Sequence, residues 1–324
     1  MTTSATSRPD VSVLMTIYNP GLYLTKAVDS LLAQTHRNFE LIAIENGSTD
    51  GAKEIIRDYA VADPRLKVFD LPSNIGRTTA LNLGLSHAAG EFIAVLDADD
   101  MARPTRLEKQ ISYLRANPQV VVLGTCADFV NHEGKLIEIF RPPSEPDLVR
   151  QSLIWQNPFV HSSVMYRRLL ALEVGGYPIN YPYGHDYALW LALASQGNFA
   201  NLPERLAVWH IHQTNTSLQP AITLSRLAEI ITLFELAANL GGYSAESYRR
   251  GRQTRGIHRA QYGIQLCLSG QMKAGLQEMM SAILLNPWCL KDVPELRSWT
   301  GITLLSRIMR KLRGPRVQKT WNKL

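Results

Sequence analysis

Short apolar segments that end in polar clusters constrain the fold of this chain more than any other feature. Val11–Ile17, Phe39–Ile44 and Phe92–Leu96 have strand length and are rich in β-branched and other large apolar residues. Segments with helical spacing of apolar residues, Leu22–Thr35 and Thr78–Ala89, lie between them. Strands that alternate with helices predict an α/β fold with a mostly parallel central sheet flanked by helices.

The polar clusters after these strands predict where a ligand binds. Tyr18–Asn19 follows the first strand, Glu45–Asn46 follows the second, and Asp97–Asp100 follows Phe92–Leu96. Ligands of open α/β sheets bind beyond the carboxyl ends of the strands. We therefore expect the three clusters to converge on one site.

The acidic cluster Asp97-Ala98-Asp99-Asp100 indicates a metal site. Two carboxylates two positions apart in a turn are able to offer oxygens to one Mg²⁺ or Mn²⁺ ion, and such ions bridge readily to phosphate. The alternative is a solvated acidic loop that precedes a helix. The apolar strand before the cluster and the Arg103–Leu107 segment after it favour the metal site.

Four segments, in order, resemble the family 2 glycosyltransferases, which have the GT-A fold: Val11–Asp50, Asn74–Phe92, Gly90–Gln110 and Tyr183–Leu193. The resemblance covers roughly residues 10 to 217. It implies an inverting, metal-dependent transfer of a sugar from a nucleoside-diphosphate sugar, with UDP-sugars favoured, to a saccharide acceptor that is free or lipid-linked. It also implies a role in the synthesis of a cell-surface polysaccharide or glycolipid.

The resemblance assigns roles by position. Tyr18 would stack on the nucleobase, Asn46 beside Glu45 would contact the base edge, and Asp186 would be the catalytic base. Asp97 and Asp99 would hold Mn²⁺ or Mg²⁺ and the donor diphosphate, with support from Asp100. His212, in the segment Trp209–Ser217 that resembles the family's YRxHxxxxS pattern, would be a third metal ligand. The rest of the expected donor site consists of Thr16, Arg77 and Ala98.

The sequence departs from the family pattern at three places. Glu45-Asn46 stands where the family usually has two acids, His185 where it has Glu, and His210 where it has Arg. A neutral His does not replace the permanent charge of Arg. These changes keep open a second hypothesis, that the chain is a catalytically degenerate GT-A-like domain that binds nucleotide-sugars or acts as a scaffold.

Several single residues have a second interpretation as well. Asp186 could instead cap a helix that begins at Tyr187. Arg77 and His212 could be surface residues, and His161 has a structural role unless it approaches the acceptor. A nucleotidyltransferase that activates a sugar phosphate is a further possibility, but the first strand lacks the Gly-rich basic phosphate loop that such an enzyme needs.

The C-terminal third has a different character, which predicts two domains: a glycosyltransferase domain over residues 1–220 and a helical extension over 221–324. Amphipathic spacing predicts a helix over Ile222–Leu240. His258–Leu268 and Met272–Leu285, with Gly270 between them, predict a helix–turn–helix that resembles one tetratricopeptide repeat.

The charge of the chain is concentrated at its C-terminal end. Its net charge is +6, and Leu296–Leu324 contains eight Lys or Arg and no acid, which leaves about −2 for the rest. Nucleic acid is therefore not expected as a partner, because the basic charge does not surround the site. Leu304, Leu305, Ile308, Met309 and Leu312 form an apolar stripe among these basic residues. The stripe predicts a helix on an anionic membrane surface, or else one packed on the enzyme.

Cysteine content and hydropathy suggest a compartment. The three cysteines are widely spaced without a CxxC motif, which suits a reducing environment. Residues 1–10 lack the apolar core of a signal peptide, and the chain has no apolar run of about 18 residues. We therefore expect a cytoplasmic protein, peripheral on the inner face of the membrane if the tail binds lipid.

Overall fold

The computed structural model describes residues 8–212, 215 and 223–293. The chain divides into two compact units, Met1–Leu153 with Asn157–Ser217, and Ile154–Gln156 with Leu218–Leu324. The predicted tail helix lies outside the described residues.

The first half of the first unit alternates strands and helices. Strand β1 spans Val11–Ile17, β2 Phe39–Glu45, β3 Leu66–Asp70 and β4 Phe92–Val95, and helices α1 (Tyr23–Leu32), α2 (Ala52–Ala62) and α3 (Arg77–His87) connect them. The strands lie in the order β3-β2-β1-β4, and every neighbouring pair is parallel. The predicted α/β class and the parallel arrangement of these strands are confirmed.

Helices cover both faces of this parallel layer. Val13, Met15 and Ile17 point to one face, where they belong to a core cluster with the apolar side of α1, including Leu24 and Leu31. On the opposite face α3 lies so close that a Cβ on Gly84 would stand 3.3 Å from Leu14 and 3.5 Å from Ile44. Burial on both faces explains why these strands are nearly continuous apolar runs.

The second half of the sheet mixes strand directions, which the sequence did not reveal. Its elements are β5 (Met101–Ala102), α4 (Arg106–Ala116), β6 (Val120–Val130), β7 (Leu136–Phe140), α5 (Pro146–Ser152), β8 (Met165–Arg167), α6 (Arg168–Glu173), α7 (His185–Leu193) and β9 (Asn198–His210). Strand β8 is antiparallel to both β4 and β6, whereas β9 runs parallel to β6 and antiparallel to β5. The full order is β3-β2-β1-β4-β8-β6-β9-β5, with β7 paired to β6.

The second unit is helical in its described part, as expected of a C-terminal extension. It contains α8 (Thr223–Asn239), α9 (Ala245–Leu268) and α10 (Met272–Leu285). Gly263 and Gly275 allow α9 and α10 to pack closely, because a Cβ on either would stand 2.6 Å from the other's carbonyl oxygen. Helix α9 has 24 residues and begins at Ala245, not at His258. The Ser244 side chain caps the helix well before the apolar spacing that predicted it begins. The resemblance to one tetratricopeptide repeat therefore does not cover the whole of α9.

Among residues 8–212 and 223–293, no helix has both the length and the apolar character that a membrane crossing requires.

Candidate active site

The polar clusters after β1, β2 and β4 meet at one edge of the sheet, as predicted. Hydrogen bonds tie the turns together: the Asn19 side chain accepts the N–H of Thr49 at 2.8 Å, and Asp50 accepts that of Gly21 at 2.8 Å. Asn19 adopts a left-handed conformation (φ 48°), which Asn tolerates better than most residues. The turns after β1 and β2 thus form one hydrogen-bonded rim.

Asp97 lies at the centre of the site with a cation on one side and an imidazole on the other. Its carboxylate pairs with the Arg77 guanidinium, and its Oδ1 lies 3.5 Å from Nδ1 of His161. Burial disfavours ionisation of Asp97, but Arg77 and His161 outweigh it and hold the pKa of Asp97 well below its usual range. Burial likewise disfavours the charge of Arg77, yet Asp97, and then Asp99 and Asp186, raise its pKa. Arg77 therefore belongs to the site electrostatically.

Asp99 faces the segment that follows β9. Its Oδ2 lies 2.9 Å from Nε2 of His212 and 3.5 Å from the Asn215 amide nitrogen, and the His212 ring stacks on Tyr23 with centroids 4.8 Å apart. His212 and Asn215 lie 113 and 116 residues after Asp99 in the sequence, so only the fold brings them together. The structure thus brings the expected ligands Asp99 and His212 into contact.

The acidic cluster has the donor chemistry of a divalent metal site. One ligand oxygen from each of Asp97, Asp99 and Asp100 lies within 4.8 Å of the others. Carboxylate oxygens together with an imidazole nitrogen suit Mn²⁺. Carboxylate oxygens alone suit Mg²⁺. Asp97 and Asp99 therefore fit the divalent ion that the sequence suggests, and His212 adjoins them through its contact with Asp99.

Asp100 has a different role from its two neighbours. It is fully buried; its Oδ1 accepts the His210 backbone N–H at 3.0 Å and its Oδ2 accepts the Ser162 hydroxyl. Burial, together with the charges of Asp99 and Asp97, raises the pKa of Asp100 well above its ordinary value. The Ser162 hydroxyl oxygen also accepts the N–H of Asp97 at 3.2 Å. Asp100 and Ser162 therefore hold the turn that presents Asp97 and Asp99.

Asp186 lies in the first turn of α7, where an acidic side chain interacts well with the helix dipole. The helix begins at His185 and its N-cap residue is Gly184, so the interpretation of Asp186 as N-cap is wrong. The Asp186 Oδ2 instead accepts the side-chain amide of Asn157 at 2.7 Å. The ring of His185, the residue before Asp186, packs edge-on against His161, whose Nδ1 lies 3.5 Å from Asp97, so the start of α7 lies beside the acidic cluster.

The expected nucleotide-binding residues show varied exposure. Tyr18 is 52% exposed, whereas Glu45 and Asn46 are buried. Glu45 accepts the N–H of Ser48 at 2.6 Å inside its own turn. The Asn46 side chain bridges the neighbouring loop: it donates to the Asn74 side chain at 3.1 Å and accepts the N–H of Ile75 at 2.9 Å.

Two further residues of the expected donor site lie at the ends of β1 and β4. Thr16 is half-buried in β1, opposite Ile44 of β2. Ala98 follows β4 and packs into the core cluster.

The two histidines that depart from the family pattern are buried and neutral in character. Burial, with Arg77 nearby, lowers the pKa of His185 to about 3, and its ring packs edge-on against His161 at 5.2 Å. Burial also lowers the pKa of His210, whose ring lies against Tyr23. Neither histidine therefore supplies the charge of the residue that it replaces.

Several residues of the site were not expected from the sequence. Ser162 and Asn157 orient Asp100 and Asp186, and Arg106 donates to the Val95 carbonyl at 3.0 Å just before the acidic cluster. The sequence indicated a site role for neither Asn157 nor Ser162. The Asn157-Pro158 pair was a local turn signal, but nothing local indicated that it faces Asp186.

The chain belongs to glycosyltransferase family 2. The sequence model described as Glycosyl transferase family 2 matches residues 12–173, half of the chain. The predicted family and the prediction of a glycosyltransferase enzyme are therefore confirmed.

Relatives in bacteria agree with this assignment. An uncharacterized glycosyltransferase of Haemophilus influenzae is 30% identical over 219 residues, which cover 64% of this chain and 68% of that protein. The O-antigen biosynthesis glycosyltransferase WbnJ of Escherichia coli is 32% identical over 212 residues, 64% of this chain and 81% of that protein. The chain spans only 29–34% of the length of some other curated relatives.

Solved structures share the fold. Staphylococcus aureus TarS, residues 1–349 in complex with UDP-GlcNAc, superposes with a TM-score of 0.64 at 17% identity, covering 97% of this chain and 92% of that one. The mannosyltransferase PcManGT of Pyrobaculum calidifontis, in complex with GDP-Man and Mn²⁺, has a TM-score of 0.56 at 21% identity, covering 98% and 88%. At these identities the likeness supports the GT-A fold alone.

Proposed function

We propose that this glycosyltransferase is an inverting, metal-dependent enzyme that moves a sugar from a nucleoside-diphosphate sugar to a saccharide hydroxyl. One observation carries the proposal: the metal-type carboxylate cluster lies beside the start of α7, which carries the separate carboxylate of Asp186. His161 joins the two, because its Nδ1 lies 3.5 Å from Asp97 and its ring packs against that of His185. Transfer with inversion needs this separation of roles, because diphosphate and acceptor occupy opposite faces of the anomeric carbon.

The chain's own groups account for the proton and the leaving group. Asp186 takes the proton of the acceptor hydroxyl while the oxygen of that hydroxyl forms a bond to the anomeric carbon. The bond from that carbon to the diphosphate oxygen breaks, and the nucleoside diphosphate leaves with the electron pair. Arg77 stabilises the charge that develops on that oxygen. A divalent ion held by Asp97, Asp99 and His212 would supply further neutralisation of the diphosphate.

We propose that the nucleotide of the donor lies at the turns after β1 and β2. Tyr18 is exposed for stacking, and the loop held by Asn46 would border the base. UDP-sugars are favoured by the family resemblance. We also infer that the catalytic domain comprises residues 1–220 and that the product is a cell-surface polysaccharide or glycolipid; the O-antigen role of the related WbnJ supports this.

Nucleotide release from UDP-, GDP- and dTDP-sugars tests the proposal. We expect release from one donor with Mn²⁺, its loss with EDTA, and its loss in Asp186→Asn. Asp58→Asn is the matched control, since that exposed acid lies on α2. Metal-dependent nucleotide binding without release, in the wild type and with candidate acceptors added, would instead support the degenerate scaffold.

We further propose that the helical extension contacts an anionic membrane surface, which would hold the enzyme on the cytoplasmic face near a lipid-linked acceptor. The second unit contains 16 Lys or Arg and 6 Asp or Glu, against 18 and 22 in the first unit. Along α10 and the turn after it, Met280, Leu284 and Trp288 recur every four residues and are 57%, 82% and 72% exposed. Such an apolar stripe within a basic unit suits a lipid interface.

Vesicle sedimentation tests this contact. We expect binding to vesicles that contain phosphatidylglycerol but not to phosphatidylcholine alone, and weaker binding of Leu284→Glu. Val61→Glu, at a residue 90% exposed on α2, is the control. Equal binding of Leu284→Glu and wild type would show that this stripe does not meet the lipid.

A further inference from the structure

The candidate base Asp186 is held by one side chain from outside its own helix. Asn157 donates from its Nδ2 to Oδ2 of Asp186 at 2.7 Å, a short bond of the charge-assisted kind. Asn157 and Asp186 are 29 residues apart in sequence, and the bond is partly buried.

The orientation of the Asn157 amide is fixed by its other end. Its Oδ1 accepts the N–H of Phe159 at 3.2 Å, across Pro158, so the NH₂ group must face Asp186. Phe159 is itself buried, and its ring meets the ring of Trp190 edge-on at 5.7 Å. Because Trp190 belongs to α7, the helix that carries Asp186, the donor and the carboxylate share one packed support.

The two oxygens of Asp186 are therefore not equivalent. Oδ2 receives the Asn157 amide, whereas no hydrogen bond reaches Oδ1 from residues 8–212, 215 or 223–293. A base must offer one lone pair to the acceptor hydroxyl with defined direction. The bond from Asn157 fixes the plane of the carboxylate and reserves Oδ1 for that proton.

We propose that Asn157 is a positioning residue that orients Asp186 for proton transfer, an inference that rests on the proposed role of Asp186 as base. Asn157 touches no reacting atom in this scheme; it acts only through Asp186. A misplacement of about 1 Å in a reacting group costs roughly 100-fold in rate. Loss of the amide donor should therefore lower kcat by roughly 30- to 100-fold without weakening donor binding.

Asn157→Asp separates positioning from turn structure. The new side chain has the same shape and still accepts the Phe159 N–H, but it presents a carboxylate oxygen to Asp186 where an amide donor stood. A residue needed only for its turn would tolerate this change. We expect Asn157→Asp and Asn157→Ala both to lower kcat for nucleotide release, with the donor KM within about twofold of wild type, because the donor contacts lie elsewhere.

Asn131→Asp is the matched control. Asn131 also accepts backbone N–H groups within its own turn, those of Glu133 at 3.1 Å and Lys135 at 2.9 Å, and it lies in the β6–β7 hairpin. Its variant should keep full activity, and thermal unfolding should show that Asn157→Asp is folded. Wild-type kcat in Asn157→Asp, alongside an inactive Asp186→Asn, would overturn the inference alone. Activity retained in Asp186→Asn would instead overturn the proposed function.

Discussion

Arg106 carries a buried charge whose removal has a calculable cost. Its guanidinium is fully buried and donates from Nη2 to the carbonyls of Val95, at 3.0 Å, and Val164, at 2.9 Å; its Nε donates to Gln110 at 3.1 Å. Val95 ends β4 just before the acidic cluster, and Val164 precedes β8. One side chain thus connects two strand ends beneath the site. Arg106→Met keeps most of its length and removes every donor.

The magnitude follows from the bonds that are lost. A hydrogen bond to a charged group contributes about 1.5–3 kcal/mol, and three acceptors, the two backbone carbonyls and the Gln110 side-chain oxygen, would lose theirs. Methionine avoids the cost of burying a charge, which offsets part of the loss. We therefore expect Arg106→Met to lower the free energy of unfolding of the first unit by about 3–4 kcal/mol.

Urea-induced unfolding followed by circular dichroism measures this change. Arg57→Met is the control: that side chain is 54% exposed and pairs with Asp70 at the surface, so its loss should cost below about 1 kcal/mol. A loss in Arg106→Met no larger than in Arg57→Met would refute the reasoning. It would mean that the penalty for burying the guanidinium cancels its hydrogen bonds.

Three further predictions concern metal, pH and packing. His212→Ala should raise the Mn²⁺ concentration for half-maximal nucleotide release by at least roughly tenfold, measured by manganese titration; an unchanged midpoint would remove His212 from the ligand set. Burial disfavours ionised Glu40, but bonds from Lys67, Ser12 and the Ala89 N–H outweigh this and lower its pKa. Ionised Glu40 therefore stabilises the folded state. This stabilisation is present above the pKa of Glu in the unfolded chain, near 4.3, and is lost as the pH falls through the lower pKa of Glu40 in the folded state. Glu40→Gln should thus lower the thermal midpoint at pH 7 and flatten its acid limb between pH 5 and about 3, and an unchanged limb would contradict this. Gly124→Ala should destabilise by about 1–3 kcal/mol in thermal unfolding, because its Cβ would lie 2.1 Å from the Asn201 side chain; a neutral result would show that this side chain rotates away freely.

The parallel half of the fold was accessible from the sequence, whereas the strand directions of the mixed half, and two of its strands, were not. Val11–Ile17 was predicted residue for residue, because both faces of that strand are largely buried and five of its seven residues are apolar. Strand β9 was missed, although it has 13 residues, because its central Pro203-Glu204-Arg205 is polar and interrupts the pattern. Strand β8 has only three residues, too few for a period to be visible.

Some residues of the site could likewise be named from the sequence, and others could not. Asp97, Asp99, Asp186 and His212 could be named because they stand in sequence patterns, and their roles remain predictions. The partners that orient them had no such pattern, since each lies far away along the chain.

The sequence by itself determined the family, the α/β class and the edge of the sheet at which the polar clusters collect, because strand and helix periods and turn residues are local properties. Only the tertiary structure decided what each acidic side chain is free to do. Asp100 gives both oxygens to Ser162 and to the His210 N–H, which are 62 and 110 residues away. Asp186 accepts the Asn157 amide at Oδ2, and no described residue donates to its Oδ1. Hydrogen bonds between distant residues depend on how the chain packs, and no local pattern of residues encodes them.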